Sequence, residues 1–317
     1  MTHSHSHSHT RSRGWLQLQL LLLVVCACLR LSESVAWTSS SDRDGERRLA
    51  SLLSKPHKPS KANASVVSTV SSELVDIGVV AACVPKKFQR FKDRIDFSSQ
   101  TKWASRVRFL MIRYPCRNPS NVLSLDSTHM QGFPLVVADT IHENFTRSSY
   151  INQLHGLVRP QSRLLVVDVD MQMNVRVLQN SIKYVKPGTI YFPIVWSKYS
   201  PRLVARLQKE MAANILPYSG WEGAWRVHGF GMFVIHAEDL PRSRMNESFV
   251  GWGGEDNEFY MRMQATPGMT VVREREPGLV HVWHDKNCTQ IVENPKKKFA
   301  CMGSRATYLG YVYYCKY

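Results

Sequence analysis

Acidic side chains are scarce in this sequence. There are 25 Asp and Glu against 41 Lys and Arg, a formal net charge of +16, which excludes a charge-neutral molecule. Residues 1–72 hold nine basic and four acidic side chains, or +5, so residues 73–317 carry the other +11. A basic folded region suits an acidic partner (nucleic acid, an anionic membrane or a polyanionic glycan), or it is a solubilising surface. Long apolar runs are scarce too. One spans Trp15 to Leu29, interrupted only by Gln17 and Gln19. It is short of the roughly 20 residues that cross a plasma membrane, but thinner secretory-pathway membranes accept shorter spans. No internal repeat is present, which excludes a solenoid built from copies. Residues 32–72 are rich in Ser, Lys, Arg and Asp and poor in apolar side chains, so they cannot bury a core and read as a flexible stem.

What is present gives the chain a direction. Arg11 and Arg13 precede the apolar run, an arrangement that leaves the N-terminus inside and the rest outside. The expected organisation is a cytoplasmic tail over 1–14, a signal-anchor transmembrane segment over 15–31, the stem over 32–72 and a lumenal domain over 73–317. A cleaved signal peptide is the rival, with Ser34-Val35-Ala36 as its small-residue site. Asn-x-Ser/Thr triplets at Asn63, Asn144, Asn246 and Asn287 agree with a lumenal location. Five of the seven cysteines (Cys83, Cys116, Cys288, Cys301 and Cys315) would meet an oxidising lumen. Cys288 with Cys301 closes a short loop and is the favoured pair. The His-Ser alternation from His3 to His9 carries no assigned function.

Order begins near Glu73. Val75–Val84 reads as a buried strand, and Lys86–Asp96 as a helix with Phe88, Phe91 and Ile95 on one face. Further strands are expected over Arg106–Arg113, Phe133–Ala138 and Leu164–Val167, with a helix over Arg147–Leu157. Apolar strands alternating with helices imply an α/β fold with a mostly parallel sheet covered on both faces. Ligands bind such sheets beyond the carboxyl ends of the strands.

The chemistry-bearing residues cluster in three stretches. The strand Leu164–Val167 ends in Asp168-Val169-Asp170. If the strand continues, alternation places both acids on one side, where paired carboxylates suit a hard divalent cation held together with substrate phosphates. A strand-end turn or a helix cap is the bland alternative. In His281-Val282-Trp283-His284 two imidazoles are three residues apart, and imidazole with carboxylate favours Mn²⁺. Pro277-Gly278-Leu279-Val280 reads as the strand that delivers them. The third stretch is Gly251-Trp252-Gly253-Gly254-Glu255-Asp256-Asn257-Glu258. Clustered glycines mark a bend or a close approach, an indole offers a flat face for a sugar ring, and Asp256 is the preferred general base. The adjacent Glu255 would raise the pKa of that base by like-charge repulsion. Alternatively both acids open a helix over Asn257–Gln264, where its dipole favours them. His228-Gly229-Phe230-Gly231-Met232 is a less specific glycine cluster, either a strand with close backbone approach or part of an acceptor pocket.

These motifs, together with Phe145-Thr146-Arg147 and Tyr191-Phe192-Pro193-Ile194-Val195, resemble the chondroitin N-acetylgalactosaminyltransferase family and the related β1,4-galactosyltransferases over about residues 75–305. The resemblance implies a GT-A glycosyltransferase fold with nucleotide-sugar and acceptor halves, a UDP-sugar donor, Mn²⁺, inversion at the anomeric carbon, and a single-pass type II protein of the Golgi membrane. It further implies Asp170 and His284 as metal ligands with His281 as a third, and Asp256 as base with Glu255 in support. Trp252 would be a mobile gate hinged on Gly251, Gly253 and Gly254, Arg147 a UDP contact, and Asp168 a further donor-binding residue. The partners expected are a UDP-sugar and a glycan acceptor, for which a polyanion would match the charge, and no nucleic acid. Asn257 stands where the galactosyltransferases tend to have a third acid, which favours the chondroitin branch. The chain is also shorter than typical chondroitin enzymes, so polymerisation by alternating sugars is not expected from it alone. The rivals are β1,4-galactosyl or glucuronyl transfer, a lumenal metal-dependent hydrolase, and an inactive glycan-binding protein.

Overall fold

The apolar stretches pair into one large sheet in the computed structural model, which describes residues 73–81, 85–97, 103–114, 129–140, 145–212, 222–249, 253–285, 288 and 301–302. The strands are β1 (Val75–Val80), β2 (Ile95–Asp96), β3 (Val107–Arg113), β4 (His129–Met130), β5 (Phe133–Asp139), β6 (Arg163–Asp168) and β7 (Met171–Asn174), followed by β8 (Thr189–Tyr191), β9 (Ile194–Lys198), β10 (Gly223–Trp225), β11 (Phe233–His236), β12 (Thr270–Val272) and β13 (Arg275–His281). The helices are α1 (Pro85–Lys92), α2 (Arg147–Leu154), α3 (Val175–Tyr184), α4 (Pro201–Ala212) and α5 (Glu255–Ala265). The expected tail, anchor and stem (1–72) lie outside the described residues, as do Gly251, Trp252, Cys83, Cys116 and Cys315. Among the described residues no helix is long and apolar enough to cross a membrane.

The large sheet has eight strands in the order β12-β8-β11-β6-β1-β3-β5-β4. Its centre is parallel: β1 pairs with both β3 and β6, and β3 with β5. β11 runs antiparallel between β6 and β8. Side chains alternate to the two faces of a strand, so each face buries its own core. One core gathers Ile77, Val79, Phe109, Leu165 and Val167 with Phe88 and Phe91 of α1 and Val177 and Leu178 of α3. The other gathers Leu110, Ile112, Leu164, Val166 and Phe233 with Tyr150, Ile151 and Leu154 of α2 and Phe259 and Met263 of α5. Helices therefore cover both faces of a mixed, centrally parallel sheet, and the α/β expectation holds in that form.

A second sheet of five strands, β10-β9-β13-β7-β2, adjoins the carboxyl end of β6 through the chain itself, because β7 follows β6 after two residues. The expected helix through Asp96 stops at Lys92, since Ile95 and Asp96 pair with Met173 and Asn174 as β2. Strand β1 ends at Val80 rather than Val84. The helix from Arg147 ends at Leu154 and tightens into a 3₁₀ turn over His155–Leu157. The helix expected from Asn257 starts two residues earlier, which places both Glu255 and Asp256 inside its first turn. Cys288 and Cys301 form the favoured disulfide, with Cα atoms 5.8 Å apart.

Candidate active site

The two acids at the end of β6 do not act as a pair on one continuing strand. The strand ends at Asp168, and Val169-Asp170 forms the turn into β7. A turn removes the alternation that would aim both side chains together, and each acid takes its own partners.

Asp170 meets the two histidines. Antiparallel pairing of β7 with β13 sets His281 opposite Met171, and the Val282 amide donates to the Asp170 carbonyl at 2.9 Å. Nε2 of His281 lies 3.3 Å from Asp170 Oδ2, and Nε2 of His284 lies 3.0 Å from the same oxygen. The three ligand atoms all fall within 4.8 Å of one another. His284 Nδ1 lies 3.0 Å from the Asp285 carbonyl. A carbonyl can only accept, so Nδ1 donates to it and Nε2 is left turned toward Asp170. A ring nitrogen and a carboxylate oxygen at that distance are held together by a proton or a cation between them. Asp170 Oδ1 is buried and has no hydrogen-bond partner among the described residues, an acceptor still to be satisfied. His281 is buried, and its Nδ1 is fixed by Ser197 Oγ at 3.2 Å on β9. A second partner of this kind orients a ligating imidazole. Burial lowers the His281 pKa against the pull of Asp170, which keeps the ring neutral, as a ligand must be. For Asp170, burial alone would raise the pKa, but the two imidazoles reverse this and hold it well below the usual carboxylate range. One carboxylate and two imidazoles therefore fit a divalent transition metal such as Mn²⁺ better than Mg²⁺ or Ca²⁺.

Asp168 faces the other way, to Arg147. The Arg147 Nη2–Asp168 Oδ1 distance is 3.1 Å, and Nη2 also donates to the Gly231 carbonyl. Arg147 starts α2, a helix capped by Thr146 Oγ1 accepting from the Ser149 amide. Its Nη1 is buried without a hydrogen-bond partner among the described residues. Burial works against the guanidinium charge, but the charges of Asp168, Asp256 and Glu255 outweigh it and raise the Arg147 pKa. Asp168 itself is pushed up by burial against the pull of Arg147. Arg147 thus lies in the combined field of the β6 acid and the two acids of α5.

Those acids are mounted on a helix start that only glycine could build. Gly253 and Gly254 have φ of +94° and +100°, a region costly for residues with a Cβ. Gly254 is the N-cap and offers no side-chain cap, and Glu255, Asp256 and Glu258 stand in the first turn, where the helix dipole favours acids. Glu255 is 7% exposed, and its Oε2 is buried with no partner among the described residues. Burial first, and the Asp256 charge next among the raising causes, push the Glu255 carboxyl up. Asp256 is half-buried, and its Oδ1 accepts from the Asn257 amide at 2.9 Å.

Sequence reasoning missed Ser197, which has no motif around it, and the stack of Phe230 on Tyr260, whose rings lie 4.0 Å apart. It read the cluster holding Gly231 as a strand of close backbone approach or part of an acceptor pocket, whereas Gly231 packs against Arg147. A Cβ there would lie 3.5 Å from Arg147 Nη2 and 3.8 Å from Asp168 Oδ2, so a larger side chain would crowd that ion pair.

With this geometry in hand, similarity to known proteins is informative. A family model described as chondroitin N-acetylgalactosaminyltransferase matches residues 84–313. Mouse chondroitin sulfate N-acetylgalactosaminyltransferase 2 is 32% identical over 172 residues, 53% of this chain and 31% of that protein. Mouse chondroitin sulfate synthase 3 is 31% identical over 146 residues, 45% of this chain and 16% of that protein. The chain thus spans under a third of the length of these relatives. Among solved structures, S. aureus TarS 1-349 in complex with UDP-GlcNAc covers 76% of this chain and 73% of its own at 9% identity, with a TM-score of 0.46.

Proposed function

Because the chain belongs to the chondroitin N-acetylgalactosaminyltransferase family, we propose that it is an inverting, metal-dependent glycosyltransferase of the GT-A kind. It moves N-acetylgalactosamine, or a similar sugar, from a UDP-sugar to a glycan hydroxyl in chondroitin or glycosaminoglycan-type synthesis. The observation that carries this reading is the meeting of Asp170, His281 and His284 at the turn after β6, with one buried carboxylate oxygen left without a partner among the described residues. Asp170, His281 and His284 would hold the cation, which when bound neutralises charge on a diphosphate leaving group.

The chain's own groups account for the rest. The acceptor hydroxyl oxygen attacks the anomeric carbon from the face opposite the leaving group. The new C–O bond forms as the bond to the UDP oxygen breaks, and UDP departs with that electron pair. The hydroxyl proton passes to the carboxylate of Asp256, which the start of α5 holds in a fixed place. Buried Glu255 accepts a hydrogen bond from a sugar hydroxyl. Arg147 keeps Asp168 in position and places positive charge beside the donor. Trp252 closes over the bound sugars, with Gly253 and Gly254 as its hinge. The +11 charge of residues 73–317 suits a polyanionic acceptor chain. We further propose that residues 15–31 anchor the protein in the Golgi membrane, with residues 73–317 in the lumen.

A screen of UDP-sugars with Mn²⁺ against glycosaminoglycan-type acceptors tests this reading. Transfer from UDP-N-acetylgalactosamine, lost on chelation and restored by Mn²⁺, is the expected result. Release of free sugar at full rate without any acceptor would instead identify a hydrolase.

A further inference from the structure

We propose that Arg273 is a positioning residue for sugar transfer, clamping the Val227–Gly231 loop onto α5 so that Arg147 and the Glu255–Asp256 pair keep their mutual register. The inference rests on the glycosyltransferase reading and adds a residue to which that reading gives no role.

Arg273 lies between β12 and β13 on backbone tied at both sides. The Phe192 amide donates to the Val272 carbonyl at 2.9 Å, and the Ile194 amide donates to the Glu274 carbonyl at 2.8 Å. From that mount the guanidinium reaches back to the glycine loop. Nη2 donates to the Val227 carbonyl at 2.6 Å, and Nη1 to the Gly229 carbonyl at 3.4 Å. Its carbon lies 4.4 Å from the Phe230 ring centre and 5.4 Å from that of Tyr260. Those two rings stack at 4.0 Å with 16° between their planes. Among the described residues Arg273 has no carboxylate partner, so what it uses is its planar fork and flat face rather than a simple charge pair.

The place of the loop gives the clamp its consequence. The far end of the loop is the Gly231 carbonyl, which Arg147 holds while it also binds Asp168. Tyr260 belongs to α5, the helix that begins with Glu255 and Asp256. Arg273 therefore joins the two supports of the site: the β6 end through the loop and Arg147, and the base-bearing helix through the ring stack. Without the clamp, the metal ligands on β7 and β13 stay where they are, while the acids of α5 lose their fixed distance from the donor. A displacement of about 1 Å is enough to cost on the order of 10²-fold in rate.

The test separates positioning from plain structural support. Arg273→Met in the full chain should lower kcat for transfer by at least about tenfold, with Mn²⁺-dependent UDP binding and Tm unchanged. Arg273→Lys keeps the charge but not the fork or the flat face, and should recover part of the loss. Arg273→Met that transfers at the wild-type kcat overturns the inference. Should Arg273→Met fail to fold, Arg273→Lys is combined with Tyr260→Leu. Effects on kcat that fail to multiply support a shared clamp, and effects that multiply independently overturn it. A wild-type protein that binds Mn²⁺ and UDP but transfers no sugar overturns the glycosyltransferase reading, and this inference with it. A wild type that transfers no faster than Arg273→Met overturns this inference alone.

Discussion

Asp170 and Asp256 divide the work between them, and single substitutions should separate it. Asp170→Ala removes the carboxylate that both imidazoles face, so Mn²⁺-dependent UDP binding should be lost. Titration of UDP with and without Mn²⁺ checks this, and unchanged affinity would reject the metal assignment. Asp256→Asn keeps the size of the side chain and the acceptor oxygen for the Asn257 amide but removes the proton acceptor. UDP binding should persist while transfer falls by roughly 10²–10⁴-fold. Full transfer by that variant would return the base to another carboxylate, of which buried Glu255 is the nearest in sequence. The residues of this centre were legible to different degrees. His281, His284 and Asp170 stand out because imidazole and carboxylate are the side chains such an ion requires. The grip of Arg147 on Asp168 was not legible, because it depends on α2 and β6 meeting at one end of the sheet.

At the scale of elements, the start of α5 makes the sharpest prediction. Gly254 combines φ of +100° with Phe249 Cε1 at 3.3 Å from where a Cβ would stand. Gly254→Ala should therefore lose about 1–2 kcal/mol from backbone strain alone, seen as a fall of a few degrees in Tm. Transfer should fall further than the stability loss explains, because the strained turn aims the acids that follow it. Equal Tm for variant and wild type would show that the turn can relax at no cost. Elements were readable in proportion to their length and burial. Strands β3 and β6 each hold an unbroken apolar stretch of four residues, Phe109 to Ile112 and Leu164 to Val167, as a parallel strand covered on both faces must. Strands β8, β10 and β12 have three residues each and take their identity from partners far along the chain, which no local pattern reveals. Of the small sheet, the frame on which His281 sits, only the Pro277–Val280 stretch of β13 was legible, because its pairing with β7 and β9 joins segments far apart in the chain.

For the whole molecule, the most direct solution test is stability against pH. His155 follows α2; its ring is half-buried and its Nε2 wholly covered without a hydrogen-bond partner among the described residues. Burial, helped by the charge of Arg244, lowers its pKa to about 4. The unfolded chain takes up that proton near the ordinary histidine value of about 6.5, before the folded protein does. This contribution is therefore fully present above about pH 6.5 and is lost as the pH falls toward 4, by about 1–3 kcal/mol in all. His155→Gln should flatten that part of a denaturation curve measured across the range. The same slope in variant and wild type would assign it to other groups.

The turn at Val169 has a consequence for how the protein comes into being. Asp168 is held by a residue made earlier, Arg147, and Asp170 is met by residues made more than a hundred positions later, His281 and His284. During synthesis the first acid can find its partner long before the second. A nascent or truncated chain ending before His281 would own the central strands and their cores but would have no means of gripping a cation. The central strands are thus complete well before the last two of the three proposed ligands, His281 and His284, are made.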